Sequence, residues 1–347
     1  MNRPASTLSA HDDLDERVRA ALRELPDGAA APDPALLATF DAMAASRLLD
    51  IHARRLRERG TGYYTIGSAG HESNAFVAAA TRPTDPALLH YRSGAFFLAR
   101  TQQAGRSLDD GIRAVLLGMF ASTADPASGG RHKVFGDATL AIIPQTSTIA
   151  SHLPRALGVA LAIGRAQRIG VAARWPRDAV TICSFGDASI NHSTAVGALN
   201  AAGYAAAQGL PLPLLFVCED NGIGISVRSP AGWVAAAAQR PGIDYRSADG
   251  ADPDQTAAAA RDAADAARTQ RRPVLLHLRT VRYLSHAGSD VETAYRPPTE
   301  IAADAERDPL LALAHRIGDC RLAARYDAIA ARVEAIAAEL TDTPTLA

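Results

Sequence analysis

Cysteine is scarce in this chain. Its 347 residues hold three, Cys183, Cys218 and Cys320, with no CxxC pair and no metal-ligand spacing. That excludes a disulfide-stapled scaffold and a thiolate zinc site, and the three read as buried thiols of a reducing compartment. Long hydrophobic runs are missing too. Nowhere do about 18 apolar residues follow one another as a membrane span needs, and the N-terminus has no continuous apolar stretch of a secretory signal, so a cytoplasmic location is expected. Neither sign of charge is in excess: 36 Lys plus Arg face 37 Asp plus Glu, a formal net charge of −1. Electrostatics therefore gives no reason to expect nucleic acid or an anionic membrane as a partner. No period of 20 to 50 residues recurs, which argues against a solenoid. No G-x-G-x-x-G opens a helix after the first strand-like run, so a nicotinamide-binding fold has little support.

What is present suits a compact α/β protein. Hydrophobic residues make up 48% and charged residues 21% of the chain, enough apolar material for a substantial core. Residues 1–32 are polar, Ala-rich and interrupted by proline, and are expected to form a mobile tail, with a short amphipathic helix possible from Asp13 to Leu25. After Asp33, the residues Leu36, Leu37, Phe40, Met43, Leu48, Leu49 and Ile51 fall on a helical stripe stopped by Gly60 and Gly62. Three short runs are apolar on both faces, Ala179 to Phe185, Leu212 to Cys218 and Pro273 to Thr280, as buried parallel strands require. Between them lie Ala-rich crossover helices, Thr194 to Gln208 and Asp254 to Gln270. An earlier helix is expected within Ile149 to Arg168, and one or two more within Leu310 to Leu340. The expected architecture is a doubly wound, mainly parallel sheet flanked by helices, with residues 33–347 as one domain carrying terminal helices.

The chemistry concentrates in Cys183 to Ser226, CSFGDASINHSTAVGALNAAGYAAAQGLPLPLLFVCEDNGIGIS. An apolar strand ends at Phe185, Gly186 permits a tight turn, and Asp187 follows at the carboxyl end of the sheet, where open α/β folds bind ligands. The next strand ends at Cys218, followed by Glu219, Asp220 and Asn221. Adjacent parallel strands would bring Asp187 and Asn221 to one edge. Two hard oxygen ligands there suit Mg²⁺, which takes one or two carboxylates plus phosphate oxygens and water. The plainer alternative makes Asp187 a helix N-cap and Asn221 a turn residue.

GDASIN and EDNGIGIS resemble the thiamine-diphosphate signature of the α subunits of 2-oxoacid dehydrogenases. The resemblance implies that Asp187, the Asn221 side chain and the Ile223 carbonyl bind Mg²⁺, with Gly186 and Ala188 in the turn against the cofactor. Ala188 stands where the family has a second glycine and Asp220 where it has a first asparagine, so the turn must tolerate a methyl group. The resemblance runs over about residues 35–320. HYRSGAFFLAR resembles the stretch in which Tyr91 and Arg92 contact the diphosphate, a task suited to arginine's bidentate donors. PQTSTIASHLPRALGVALA resembles the segment holding the aminopyrimidine ring, through Ser147 and the backbone of Ile149. TGYYTIGSAGHESNAFVAAATRPTD resembles the segment lining the substrate side. RYLSHAGSDVETAYR resembles a flexible loop over the channel, in which His286 matches a catalytic histidine working near its ordinary pKa of about 6.5. Ala287 stands where regulated relatives carry a phosphorylated serine. His90, His152 and His192 are weaker candidates, and His71 is expected to shape the pocket.

By the same resemblance the chain is the α subunit of a 2-oxoacid dehydrogenase E1 component. It would need thiamine diphosphate, Mg²⁺ and a β subunit, in an α₂β₂ assembly. It would decarboxylate a 2-oxoacid, branched-chain first and pyruvate second, and pass the acyl group to the lipoyl domain of an E2 acyltransferase. A related carboligase or acetoin-cleaving enzyme, and a non-catalytic pseudo-subunit, are the alternatives.

Overall fold

The computed structural model describes residues 9–28, 31–172 and 174–346. Five parallel strands form its main sheet: β1 Ala87–Leu88, β2 Thr181–Gly186, β3 Leu214–Asp220, β4 Asp244–Asp249 and β5 Val274–Arg279, in the order β1-β2-β3-β5-β4. The three apolar runs of the sequence are the three central strands. They alternate between two cores: Ile182, Leu215, Val217 and Leu276 face one, while Cys183, Phe185, Phe216 and Leu275 face the other. Burial on both faces explains why these strands lack an apolar–polar alternation. The edge strands escaped notice because β1 is two residues long and β4, DYRSAD, is polar and only partly buried.

Helices cover both faces. α1 Ala10–Arg23 and α2 Pro34–Glu58 precede the sheet, and α3 His152–Ile169 and α4 Ser193–Ala207 pack on the Phe185 side. α5 Pro253–Gln270 packs opposite, with α6 Pro309–Ile317 and α7 Arg321–Leu340 closing the chain. α2 starts where sequence chemistry places it, with the Asp33 carboxylate accepting from Ala35 N–H at 2.8 Å and proline in the first turn.

The expected tail needs correction. Residues 1–8 lie outside the described residues, but α1 is docked, with Val18 and Leu22 fully buried against the main core. Its Asp15 accepts from Tyr326 of α7 at 3.1 Å and from Arg55 of α2 at 2.9 Å. An amphipathic helix needs a facing groove, and α2 with α7 supplies one. A second correction concerns Cys320, which is partly exposed and donates to Asp27 at 3.0 Å, whereas Cys183 and Cys218 are buried. Burial raises both of the latter thiols, so they stay protonated core groups.

Two features fix the early segment against the sheet edge. Gly70 has φ of +94°, and a Cβ there would come within 2.3 Å of the Val281 carbonyl, so only glycine lets the chain pass this close beyond β5. Beside it, fully buried Arg47 of α2 donates to Glu72 at 2.5 Å and grips Asp308 through two bonds of 2.9 and 3.0 Å. That ion-paired triad ties α2, the Gly70 turn and the start of α6 together.

Candidate active site

Register decides the first question. Gly186 pairs with Glu219 across β2 and β3, so Asp187 and Asn221 leave neighbouring strands at the same carboxyl edge. Asp187 begins a short 3₁₀ turn, Asp187–Asn191, and is almost wholly buried. Burial pushes its pKa up, opposed by the Ser229 hydroxyl, which donates to it, while Asp220 nearby pushes it further up. No cationic side chain forms an ion pair with it among the described residues. A desolvated carboxylate in this state gains from a divalent cation.

Asn221 is oriented from both sides. Its Oδ1 accepts from Ile223 N–H at 3.1 Å, which leaves Nδ2 to donate to His71 Nε2 at 2.9 Å. With Nε2 accepting, the proton of neutral His71 sits on Nδ1 and goes to Glu219 at 2.8 Å. Burial holds His71 below its ordinary pKa, so the neutral form is the resident one. Glu219 also accepts from Ser93 at 2.9 Å and Asn74 at 3.3 Å, completing a buried relay that fixes the amide. Asp220 turns elsewhere, accepting from His277 of β5 at 2.8 Å and from Gly222 N–H at 2.9 Å.

Ile223 opens a small antiparallel hairpin, Ile223–Gly224 with Val227–Arg228, that folds over the Asp187 turn. The methyl group at position 188 is accommodated here. A Cβ at Gly224 would lie 2.6 Å from that of Ala188, so the glycine missing from the turn is matched by one in the hairpin facing it.

Beyond this edge lies a cavity of about 250 Å³. Tyr91, Ser147, Ile149 and His286 line it together, with His90, His152 and Lys133. Ser147 is exposed at the rim and shares a 2.6 Å hydrogen bond with His132. His90 and His152 each leave Nδ1 buried with no hydrogen-bond partner among the described residues, so the wall offers polar atoms to a polar ligand. His192 takes no part: it caps α4, accepting from Thr194 N–H at 3.2 Å.

Arg92 is buried and links the two regions. One of its amino groups donates to the Gly67 carbonyl, the other to His286 Nδ1 at 3.0 Å, while its guanidinium lies 5.1 Å from the Tyr91 ring centre. Arginine has nothing to accept with, so His286 Nδ1 is the acceptor and neutral His286 carries its proton on Nε2. Burial, then Arg92, push its pKa down to about 4, a correction to the expected ordinary value. The loop expected to be flexible is tied at several points: His286 N–H donates to Asp290 at 2.9 Å, Gly288 N–H to Thr65 at 2.7 Å, and Arg54 to Ser285 at 2.7 Å.

The dehydrogenase E1 component family matches residues 41–342. The chain belongs to that family. Among the relatives of this E1 family member, the 2-oxoisovalerate dehydrogenase subunit alpha of Bacillus subtilis (strain 168) is 28% identical over 280 residues, covering 78% of each chain. The Arabidopsis thaliana mitochondrial 2-oxoisovalerate dehydrogenase subunit alpha 1 is 28% identical over 287 residues, 80% of this chain and 56% of that one. The Homo sapiens pyruvate dehydrogenase E1 component subunit alpha, somatic form, is 28% identical over 250 residues, 71% of this chain and 58% of its own length. The chain thus spans under three fifths of those two longer relatives.

Sequence reasoning missed three participants of this E1 chain. Ser229, 42 positions from Asp187, carried no signal. Glu219 was read only as part of the motif, though its burial makes it the anchor of the His71 relay. Lys133 lines the cavity and had a signal, for it is the single lysine in the sequence.

Proposed function

We propose that this chain is the α-type subunit of a 2-oxoacid dehydrogenase E1 component that binds thiamine diphosphate through Mg²⁺. Asp187, the Asn221 Oδ1 and the Ile223 carbonyl would hold the ion. Tyr91, Arg92 and His286 would face the diphosphate beside the Gly186–Ala188 turn, with Ser147 and the Ile149 backbone against the aminopyrimidine. The observation that carries this reading is the convergence of Asp187 and Asn221 at one strand edge, one carboxylate lacking a cation and one amide locked in orientation. When bound, the cofactor supplies the electron sink for carbon–carbon cleavage of a 2-oxoacid. The protein's part is to exclude water, to orient the cofactor, and to present the Nε2 proton of His286 to the substrate side.

A β-type partner would complete the site. Ile149 and Ile225, both on the cavity wall, are 46% and 59% exposed, an apolar rim suited to cover by another chain. The reaction proposed is decarboxylation with acyl transfer to the lipoyl domain of an E2 acyltransferase. Branched-chain 2-oxoacids come first because two of the relatives named above are 2-oxoisovalerate dehydrogenase subunits, and pyruvate second. Among the described residues no helix is long and apolar enough to cross a membrane.

The test is reconstitution. The chain, co-purified with the product of a neighbouring reading frame, is supplied with cofactor, Mg²⁺ and a panel of 2-oxoacids, with and without a lipoyl domain. Acylated lipoyl product supports the dehydrogenase reading. Carbon–carbon coupling that ignores the lipoyl domain would establish a carboligase instead, and inactivity of a cofactor-loaded complex would establish a pseudo-subunit.

A further inference from the structure

Lys and Arg together number 36, yet lysine occurs once, at position 133. This side chain lies on the cavity wall, partly buried, between the segment before Gly67 and the Tyr91 turn. Its Nζ donates to the Ile66 carbonyl at 2.9 Å and the Tyr91 carbonyl at 3.3 Å, and sits 5.3 Å from the Phe135 ring centre. An ammonium group has three protons to donate, and these two contacts leave one. Buried Arg47 has Glu72 and Asp308 as anionic partners, whereas buried Arg100 donates only to the Asp85 and Leu140 carbonyls and the Thr81 hydroxyl and does not line this cavity. Lys133 has no anionic partner within ion-pair distance among the described residues. The charges felt there are Asp50, which favours the cation, and Arg92, which opposes it, and Asp50 already accepts from the Ser68 and Ala69 N–H groups. Burial accordingly pulls the ammonium below its ordinary pKa. A desolvated cation facing an open cavity, with only neutral oxygens for company, is stabilised by an incoming anion.

We propose that Lys133 is a specificity-determining residue that recognises a carboxylate of the substrate inside this cavity. The inference rests on reading the cavity as a 2-oxoacid site and adds to it a charged contact at a defined atom. Two carboxylates could serve: the one beside the oxo group, or a second at the far end of an acidic substrate. The first leaves as carbon dioxide, so gripping it would stabilise the ground state more than the transition state. The second keeps its charge throughout, and contact with it contributes binding without opposing the chemistry.

Because the residue is unique, the full chain labelled with lysine carrying carbon-13 at Cε gives a single lysine resonance. With the labelled chain assembled with its unlabelled β-type partner, and with thiamine diphosphate and Mg²⁺ present, pyruvate, 2-oxoisovalerate, 2-oxoglutarate and the neutral methyl pyruvate are titrated in turn. The expected result is a saturable shift with an acid and none with the ester. By calorimetry, Lys133→Met should bind the acid at least about tenfold more weakly, the scale of a lost charge-assisted hydrogen bond, while Lys133→Arg restores most of the affinity. A response at lower concentration of 2-oxoglutarate than of pyruvate assigns the distal carboxylate, and equal responses assign the one beside the oxo group. A resonance blind to every acid, or unchanged acid affinity in Lys133→Met, overturns the proposal. Cofactor affinity separates the two levels: if the chain assembled with its β-type partner binds no cofactor, the 2-oxoacid reading fails, whereas bound cofactor with a silent lysine removes the carboxylate assignment alone.

Discussion

The hydrogen bond from Arg92 to His286 does two things at once. It points Nε2 of the imidazole away from the arginine, and it places a permanent cation beside the ring, so protonation is disfavoured. His286 therefore stays neutral down to a pH of about 4. On the proposed reading, His286→Ala should lower lipoyl acylation by about 10² or more while cofactor affinity changes only a few-fold, since proton transfer contributes on that scale and the diphosphate would keep Arg92. Equal losses in both would mean the ring merely packs. His286 itself was legible in the sequence, but its depressed pKa was not. That shift comes first from burial that no local pattern encodes, and then from Arg92, 194 positions away.

At the scale of elements, the turn after β2 and the hairpin after β3 form one unit. Ala188, where the family's motif has glycine, requires a turn that tolerates a methyl group, and the sequence does not display the facing surface that provides the room. The structure places Gly224 there, leaving room for the methyl group. Gly224→Ala should then cost about 1–3 kcal/mol by overpacking. Ala188→Gly combined with it should recover most of that loss in urea unfolding; additive losses would contradict the pairing. The central strands and crossover helices were legible because burial on both faces and Ala-rich helix spacing leave strong patterns. The edge strand β4 was not, since a half-covered strand carries a mixed pattern, and the docking of α1 depends on a groove between α2 and α7 that lies far away in sequence. Leu22→Ala tests that docking: a fully buried leucine should cost about 2–5 kcal/mol, whereas a mobile segment would cost nothing measurable.

Across the whole molecule, burial of histidine sets the response to acid. Six of the ten histidines, His11, His52, His71, His90, His152 and His286, have lowered pKa values, burial being the largest cause in each. His52 and His286 fall to about 4. Unfolded histidine titrates near 6.5, so below that pH the unfolded chain binds more protons than the folded one. Stability is thus fully present above about pH 6.5 and declines as pH falls toward 4. His52→Gln, outside the cavity, should flatten that decline by about one proton in the slope of unfolding free energy against pH; an unchanged slope would mean His52 titrates normally.

At the carboxyl edge of the sheet, β2 and β3 end side by side and present a carboxylate at position 187 and an amide at position 221. The most direct measurement is calorimetric titration of thiamine diphosphate into the assembled complex, with and without Mg²⁺, for the unmodified chain and for Asp187→Ala. Tight binding that requires Mg²⁺ and is abolished by Asp187→Ala is the predicted result. Undiminished, Mg²⁺-dependent affinity in Asp187→Ala would contradict the account.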